Sequence, residues 1–269
     1  MSRTQSLPSP FKAPPLSLLA MEPVRAMFDF LGAKVGVRAE PVGDGHPVIV
    51  FPGLGGAPFT TSHLRRFLTE SGFGSQCWGR GVNTGPEGDF DQWLDGLEHD
   101  VRACHAKTGR KVSLVGWSLG GVYAREIAKR CPECVRQVIT LGTPFASMQG
   151  TTHAETLYKL VNGDVSQLTP QMQQRLRECP PVPTTSIYSK TDGVVCWRGC
   201  IEKKSALSES VEVTASHLGM VTHPEVLRII VNRLSQPEGR WRPLRRRERL
   251  GRAYSAAGRS STGLLRRPR

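Results

Sequence analysis

The sequence predicts an α/β fold, a mostly parallel sheet covered by helices on both faces. Three observations carry this expectation. A short continuous apolar run, Pro47–Phe51, has the character of a strand buried on both sides, and 111–115 and 135–141 read as further strands. Stretches of helical period lie between them, over residues 58–70, 91–107 and 119–129. The two kinds of segment alternate along the chain, which is the order from which parallel sheets are built. A chain of 269 residues is long enough to bury one such core.

The elements follow in order. Residues 1–42 form a lead-in. Its apolar run Leu16 to Ala20 is too short for the core of an export signal and follows Pro14 and Pro15. In residues 21–32, Val24, Met27, Phe28 and Leu31 recur at helical spacing, so an amphipathic helix is expected, and with it cytoplasmic residence. Gly43-Asp44-Gly45-His46 turns into the first strand, which ends in Pro52-Gly53-Leu54-Gly55-Gly56. The helix at 58–70 gathers His63, Leu64, Phe67 and Leu68 on one face, and 76–78 is a weak strand leading into a loop at 79–88. The helix at 91–107 aligns Trp93, Leu94, Leu97, Val101 and Cys104. A strand at 111–115 precedes the helix at 119–129, and Val135–Leu141 ends in Gly142-Thr143-Pro144. Residues 145–183 read as helical, with an apolar stripe of Leu157, Leu160, Val161, Val165 and Leu168. Strands at Thr184–Ser189 and 211–215 and a closing helix at Pro224–Leu234 complete a domain spanning 43–237. In such sheets, sites form in the loops at the carboxyl ends of the strands.

Charge and cysteine usage narrow the function classes. The net charge is +13, but residues 238–269 hold eleven Arg against two Glu. That basic segment has little apolar periodicity and reads as a disordered tail. Its charge suits contact with an anionic surface or nucleic acid, or simple solvation. The rest of the chain is close to neutral, which argues against a dedicated nucleic-acid-binding domain. No run of about 18 apolar residues is present to span a membrane. Seven Cys is an odd number for a secreted disulfide framework. Cys131-Pro132-Glu133-Cys134 has redox spacing, but it ends a helix, where no dipole lowers a thiol pKa. Scattered free thiols are expected, with Cys131–Cys134 and Cys196–Cys200 close enough in sequence for local bridges. No metal-ligand spacing and no cofactor motif is found.

Chemistry concentrates at Gly116-Trp117-Ser118-Leu119-Gly120, a G-x-S-x-G pattern between an apolar strand and a helix. A turn that sharp needs small residues beside the serine, and Gly121 adds a further close approach. Ser118 is therefore the candidate nucleophile. A serine hydroxyl needs a base to take its proton and an acid to orient that base. On this kind of sheet the order is Ser, then Asp or Glu, then His. Asp192, in Thr191-Asp192-Gly193, follows the strand ending at Ser189, and His217 follows the strand ending near Ala215. His223 is the rival base, but it precedes Pro224 and starts the last helix. Asp192 could alternatively be a turn residue.

An oxyanion needs preorganised donors, and backbone N–H groups commonly supply them. Leu119, after the nucleophile, supplies one, and Leu54 in the glycine-rich loop supplies the other. A phosphate cradle is the competing reading of that loop, but it lacks the GK[ST] ending and does not fit G-x-G-x-x-G. Trp117 is expected to pack under the elbow and is a candidate substrate contact. Arg80, in the loop after the weak strand, either meets an anionic part of the substrate or faces solvent.

PGLGG after the first strand, GWSLGG, LGTPF, TDGVV and SHLGM together resemble bacterial esterases and lipases of the α/β-hydrolase superfamily, over residues 43–234. The resemblance implies an eight-stranded sheet and an ester or amide bond as target. It implies that Thr143 helps line the pocket, and that 145–183 is a small helical cap insertion, with Leu160 on its pocket-facing stripe. Pro52-Gly53 stands where many relatives carry His-Gly. That form occurs in lipid-acting relatives, deacylases and acyltransferases among them, which widens the substrate range. The expectation is a cofactor-independent serine hydrolase of a small-molecule or lipid carboxylic ester. The alternatives are an acyltransferase on the same fold and a non-catalytic binding protein of that fold.

Overall fold

The computed structural model describes residues 12–146 and 169–245. Six strands form one sheet: β1 (Pro47–Phe51), β2 (Gly74–Cys77), β3 (Val112–Trp117), β4 (Val135–Leu141), β5 (Thr184–Ser189) and β6 (Ser208–Val213). The described helices are α1 (Leu16–Gly36), α2 (Ser62–Glu70), α3 (Phe90–Thr108), α4 (Leu119–Arg130), α5 (Pro170–Arg177) and α6 (Pro224–Leu234). Strand order is β2-β1-β3-β4-β5-β6, and every neighbouring pair is parallel. The eight strands implied by the resemblance are thus six among the described residues. Among the described residues ahead of β1, the chain forms α1 and adds no strand.

Alternation along the strands builds two cores. Val48, Val50, Val115 and Trp117 face the layer that includes α2 and α6, while Ile49, Phe51, Val112 and Leu114 face α3 and α4. Both faces are filled, and β1, β3 and β4 are buried at every residue. The chain steps from β1 outward to β2 and then back past β1 to β3. The loops leaving β1 and β3 therefore diverge, which opens a crevice at the carboxyl ends of those strands.

Most element boundaries agree with the pattern in the sequence, and the differences have local causes. α3 starts where the Asp89 side chain caps the Asp91 and Gln92 N–H groups, and ends at Gly109, whose φ of 65° stops the helix. β6 begins at Ser208, three residues before the expected start. Ser-Glu-Ser-Val-Glu-Val is a polar edge strand whose alternate residues are buried, and it lacks the apolar run of a central strand. The helical reading of 145–183 is corrected at its far end: α5 stops at Arg177, because Pro180, Pro181 and Pro183 follow. The stripe from Leu157 to Leu168, Leu160 included, lies outside the described residues.

The basic segment also differs from expectation. Its first part, 238–245, is not free: the Leu244 N–H donates to Glu209 Oε2 at 2.7 Å and the Arg242 carbonyl accepts from Arg233 at 2.7 Å. Leu244 packs against the core. The folded body therefore extends at least to residue 245, and residues 246–269 lie outside the described part. All seven cysteines are free thiols, so neither conceivable local bridge forms. No described helix is long and apolar enough to cross a membrane.

α1 forms where the helical spacing predicts an amphipathic helix, and the structure shows which face docks. Its apolar stripe faces outward: Val24 is 43 % exposed, Met27 53 %, Phe28 63 % and Leu31 48 %. The helix packs through the opposite face, where Glu22, Arg25 and Asp29 lie one and two turns apart, against the turn Leu218–Val221 and α6. Hydrogen bonds on the inner face dock this helix, together with burial of Ala33 in the core.

Candidate active site

The β3–α4 turn forms a strained elbow. Ser118 has φ 53° and ψ −123°, and it is the one non-glycine residue at positive φ among the described residues. Such a conformation costs about 1–3 kcal/mol and persists only where the surroundings enforce it. Here the Ser118 N–H donates to Leu141 O at 2.8 Å, while the Ser118 carbonyl accepts from Gly121 N–H at 3.0 Å and Thr143 Oγ1 at 2.9 Å. The flanking glycines are steric requirements. A Cβ at Gly116 would stand 2.3 Å from Gly121 Cα, and one at Gly120 would stand 2.5 Å from the Phe51 and Pro52 carbonyl oxygens.

The loop after β5 prepares the acid. Asp192 is buried, and its Oδ1 accepts from the Val194 and Val195 N–H groups, both at 2.8 Å. Its Oδ2 is left to meet His217 Nδ1 at 2.7 Å. A carboxylate only accepts, so Nδ1 carries the proton and Nε2 is the basic nitrogen. Burial disfavours the charged imidazole, but the Asp192 charge and hydrogen bond, with Glu22 behind, outweigh it and raise the His217 pKa. His223, the rival, is not at Asp192: its Nε2 stands 3.8 Å from Asp29 Oδ1, and burial lowers its pKa. Among the described residues the Ser118 hydroxyl makes no hydrogen bond. Contacts of this kind commonly tighten only when substrate is present.

The glycine-rich loop after β1 lies against the nucleophile: a Cβ at Gly53 would stand 3.1 Å from Ser118 Cβ. Neither the Leu54 nor the Leu119 N–H has a protein acceptor among the described residues. Leu119 opens α4, where the first N–H groups lack helical partners in any case. Asn83 fixes the Leu54 loop. Its Nδ2 donates to Pro52 O at 2.8 Å, its carbonyl accepts from Gly55 N–H at 2.7 Å, and its N–H donates to Gly56 O at 2.9 Å. Tyr123 holds Asn83 in turn, donating to its Oδ1 at 3.2 Å.

The structure thus brings Asp192 and His217 together, beside the crevice that Ser118 and Leu54 enter. It gives two candidate substrate contacts a structural role. Thr143 is fully buried and its hydroxyl donates to the Ser118 carbonyl, so its side chain supports the elbow. Trp117 is 8 % exposed and its Nε1 donates to the His217 carbonyl at 3.0 Å, which ties the elbow to the base loop. Arg80 is engaged by Asp100 at 2.7 Å on α3. A cleft of about 370 Å³ lined by Pro47, Gln76, Cys104 and Lys107 lies by β2 and α3 and shares no residue with this site.

Sequence reasoning missed Asn83 and the α1 side chains Glu22 and Asp29. Asp29 Oδ2 accepts from the Ser216 N–H at 3.0 Å and its hydroxyl at 2.6 Å, just ahead of His217. The available signals were an amide side chain in a glycine-rich loop and acidic residues at helical spacing on α1.

A second Ser–His–Asp chain exists. His46 Nδ1 is 2.5 Å from Asp44 Oδ1, and its Nε2 is 2.8 Å from Ser113 Oγ. It sits at the amino ends of β1 and β3, where His46 and Ser113 are fully buried. Burial, opposed by Asp44, lowers the His46 pKa.

Comparison with known proteins bears on the family and the fold. A family model described as palmitoyl protein thioesterase matches residues 47–191, more than half of the chain. No curated protein sequence matches. Among solved structures, lipase B of Aspergillus fumigatus aligns with TM-score 0.57 and 18% identity, covering 75% of this chain. The match spans 56% of that lipase. Lipase BlEst2 of Bacillus licheniformis, in its mature form, gives TM-score 0.55 and 16% identity over 74% of this chain and 95% of the lipase. The monoacylglycerol lipase of Paleococcus ferrophilus gives 0.52 and 18% over 71% of this chain and 96% of the lipase. At such identities the likeness is one of fold, and that fold is the α/β-hydrolase fold.

Proposed function

Since the chain belongs to the palmitoyl protein thioesterase family, we propose that it is a serine acyl hydrolase cleaving a carboxylic ester or thioester. Ser118 Oγ attacks the acyl carbonyl while His217 Nε2 takes its proton, and Asp192 stabilises the imidazolium that results. The Leu54 and Leu119 N–H groups receive the oxyanion. Collapse breaks the bond to the alcohol or thiol, which leaves with the proton from His217, and Ser118 holds the acyl group. His217 then deprotonates water, which attacks the acyl-enzyme, releases the acid and restores the serine.

The observation that carries this reading is the 2.7 Å contact between Asp192 and His217, made by two loops at the sheet end where Ser118 is held in strain. The test is turnover of p-nitrophenyl esters and matched thioesters of increasing acyl length. Hydrolysis of either series, abolished in Ser118→Ala, is the expected result. A folded protein inert toward both would defeat the proposal. Acyl transfer to an added alcohol or thiol, outpacing hydrolysis, would move the assignment to an acyltransferase.

A further inference from the structure

Glu22 lies 1 % exposed on the inner face of α1. Burying a carboxylate is costly unless donors replace its water, and here three backbone donors do so. Oε1 accepts from Gly193 N–H at 2.7 Å and from His217 N–H at 3.0 Å, and Oε2 accepts from Leu218 N–H at 3.0 Å. Gly193 follows the acid and Leu218 follows the base, so one carboxylate joins the two loops. Neighbouring residues on α1 repeat the theme. Arg25 donates to the Thr191 carbonyl and, at 2.7 Å, to its Oγ1, and Asp29 holds Ser216.

We propose that Glu22 is a positioning residue for the Asp192–His217 pair, clamping the acid loop to the base loop and setting a negative charge behind the imidazole. The proposal rests on the acyl-hydrolase reading. An apolar residue could dock α1 equally well, but it could not bind three N–H groups from two loops. The ionisable groups around His217 are Asp192 from the β5 loop, Glu22, Arg25 and Asp29 from α1, and His223 at the start of α6. Glu22 and Asp192 both favour the protonated imidazole.

The experiment compares kcat, KM and the pH profile of kcat/KM for the full chain, Glu22→Gln, Glu22→Asp and Asp192→Asn, on one activated ester. In Glu22→Gln we expect kcat to fall about 10- to 100-fold, the size of a small misplacement of catalytic groups. KM should stay within about threefold, and the acid limb should move to lower pH because one negative charge is gone. Glu22→Asp keeps the charge but loses reach, so kcat should fall while the limb stays. If Glu22→Gln does not fold, Glu22→Asp decides by its kcat. A folded variant with wild-type kcat and limb overturns the proposal. Unfolding of both variants overturns it as well, by making Glu22 a residue of the fold alone. Should Asp192→Asn also keep full kcat, the triad reading itself fails. Loss in Asp192→Asn with none in Glu22→Gln rejects only the clamp.

Discussion

At the carboxyl ends of the strands Asp192 meets His217 at 2.7 Å beside Ser118, and at the amino ends Asp44 meets His46 at 2.5 Å and His46 meets Ser113 at 2.8 Å. By hydrogen bonding alone the second chain is the more complete. It differs in three respects. Ser113 sits within β3 and is fully buried, whereas Ser118 is strained out of the strand on an elbow. His46 has its pKa lowered by burial, whereas His217 has its pKa raised by two carboxylates that overcome burial. Among the described residues the Leu54 and Leu119 N–H groups have no protein acceptor, and the loop that carries Leu54 lies against Ser118, a Cβ at Gly53 standing 3.1 Å from Ser118 Cβ. The comparison teaches that a triad is defined by what surrounds the serine, not by the chain of contacts behind it.

The serines give the largest expected contrast. Ser118→Ala should lower kcat by about 10⁴-fold or more, since triad members act as a unit, with stability little changed. Ser113→Ala should leave kcat intact and cost about 1–3 kcal/mol, because His46 Nε2 loses its buried partner. Urea denaturation and ester kinetics on the two variants measure this, and a catalytic loss in Ser113→Ala would erase the distinction.

The acids come next. Asp192→Asn should drop kcat about 10³- to 10⁴-fold by favouring the wrong imidazole tautomer. Asp44→Asn should lower Tm and leave kcat unchanged, since Asp44 serves Arg110 and Arg136 as well as His46.

The oxyanion loop yields a smaller effect. Asn83→Ala removes the amide that holds Pro52 and should lower kcat about 10- to 100-fold with KM little affected. Unchanged kcat in a folded variant would dismiss the Leu54 loop as a contributor.

The two histidines give the gentlest contrast, opposite in sign with pH. His217 has a raised pKa, so its stabilising contribution is full below about pH 6.5 and is lost as pH rises through its folded value. Catalysis needs it neutral, so the acid limb of kcat/KM should lie above the ordinary histidine value of about 6.5. His46 has a lowered pKa, so its contribution is full above about pH 6.5 and declines as pH falls. In His46→Gln the urea midpoint should fall less steeply below that pH than in the parent. An equal slope would show that His46 does not titrate on unfolding.

Where local chemistry and tertiary packing demand the same residues, the sequence was legible. The β3–α4 elbow needs Gly116, Gly120 and Gly121, and β1 is an unbroken apolar run, so the first strand and the elbow at Ser118 could be read directly. Asp192 and His217 followed from strand ends. What stayed hidden depended on which face of an element turns inward. On α1 the spacing of Val24, Met27, Phe28 and Leu31 marked an amphipathic helix but not which face docks, and it is the face of Glu22, Arg25 and Asp29 that finds donors and acceptors on loops near residues 191–193 and 216–218. Those partners lie more than 160 residues away along the chain. The support that Thr143 gives the elbow was hidden for a related reason: its position was clear, but the carbonyl its hydroxyl would meet was not.

The central claim is that Ser118, and not Ser113, is the nucleophile. A fluorophosphonate probe, followed by mapping of the modified peptide by mass spectrometry, tests it most directly. The reading predicts one adduct on Ser118, lost in Ser118→Ala and retained in Ser113→Ala. An adduct on Ser113, or equal labelling of Ser118→Ala and the parent protein, would contradict it.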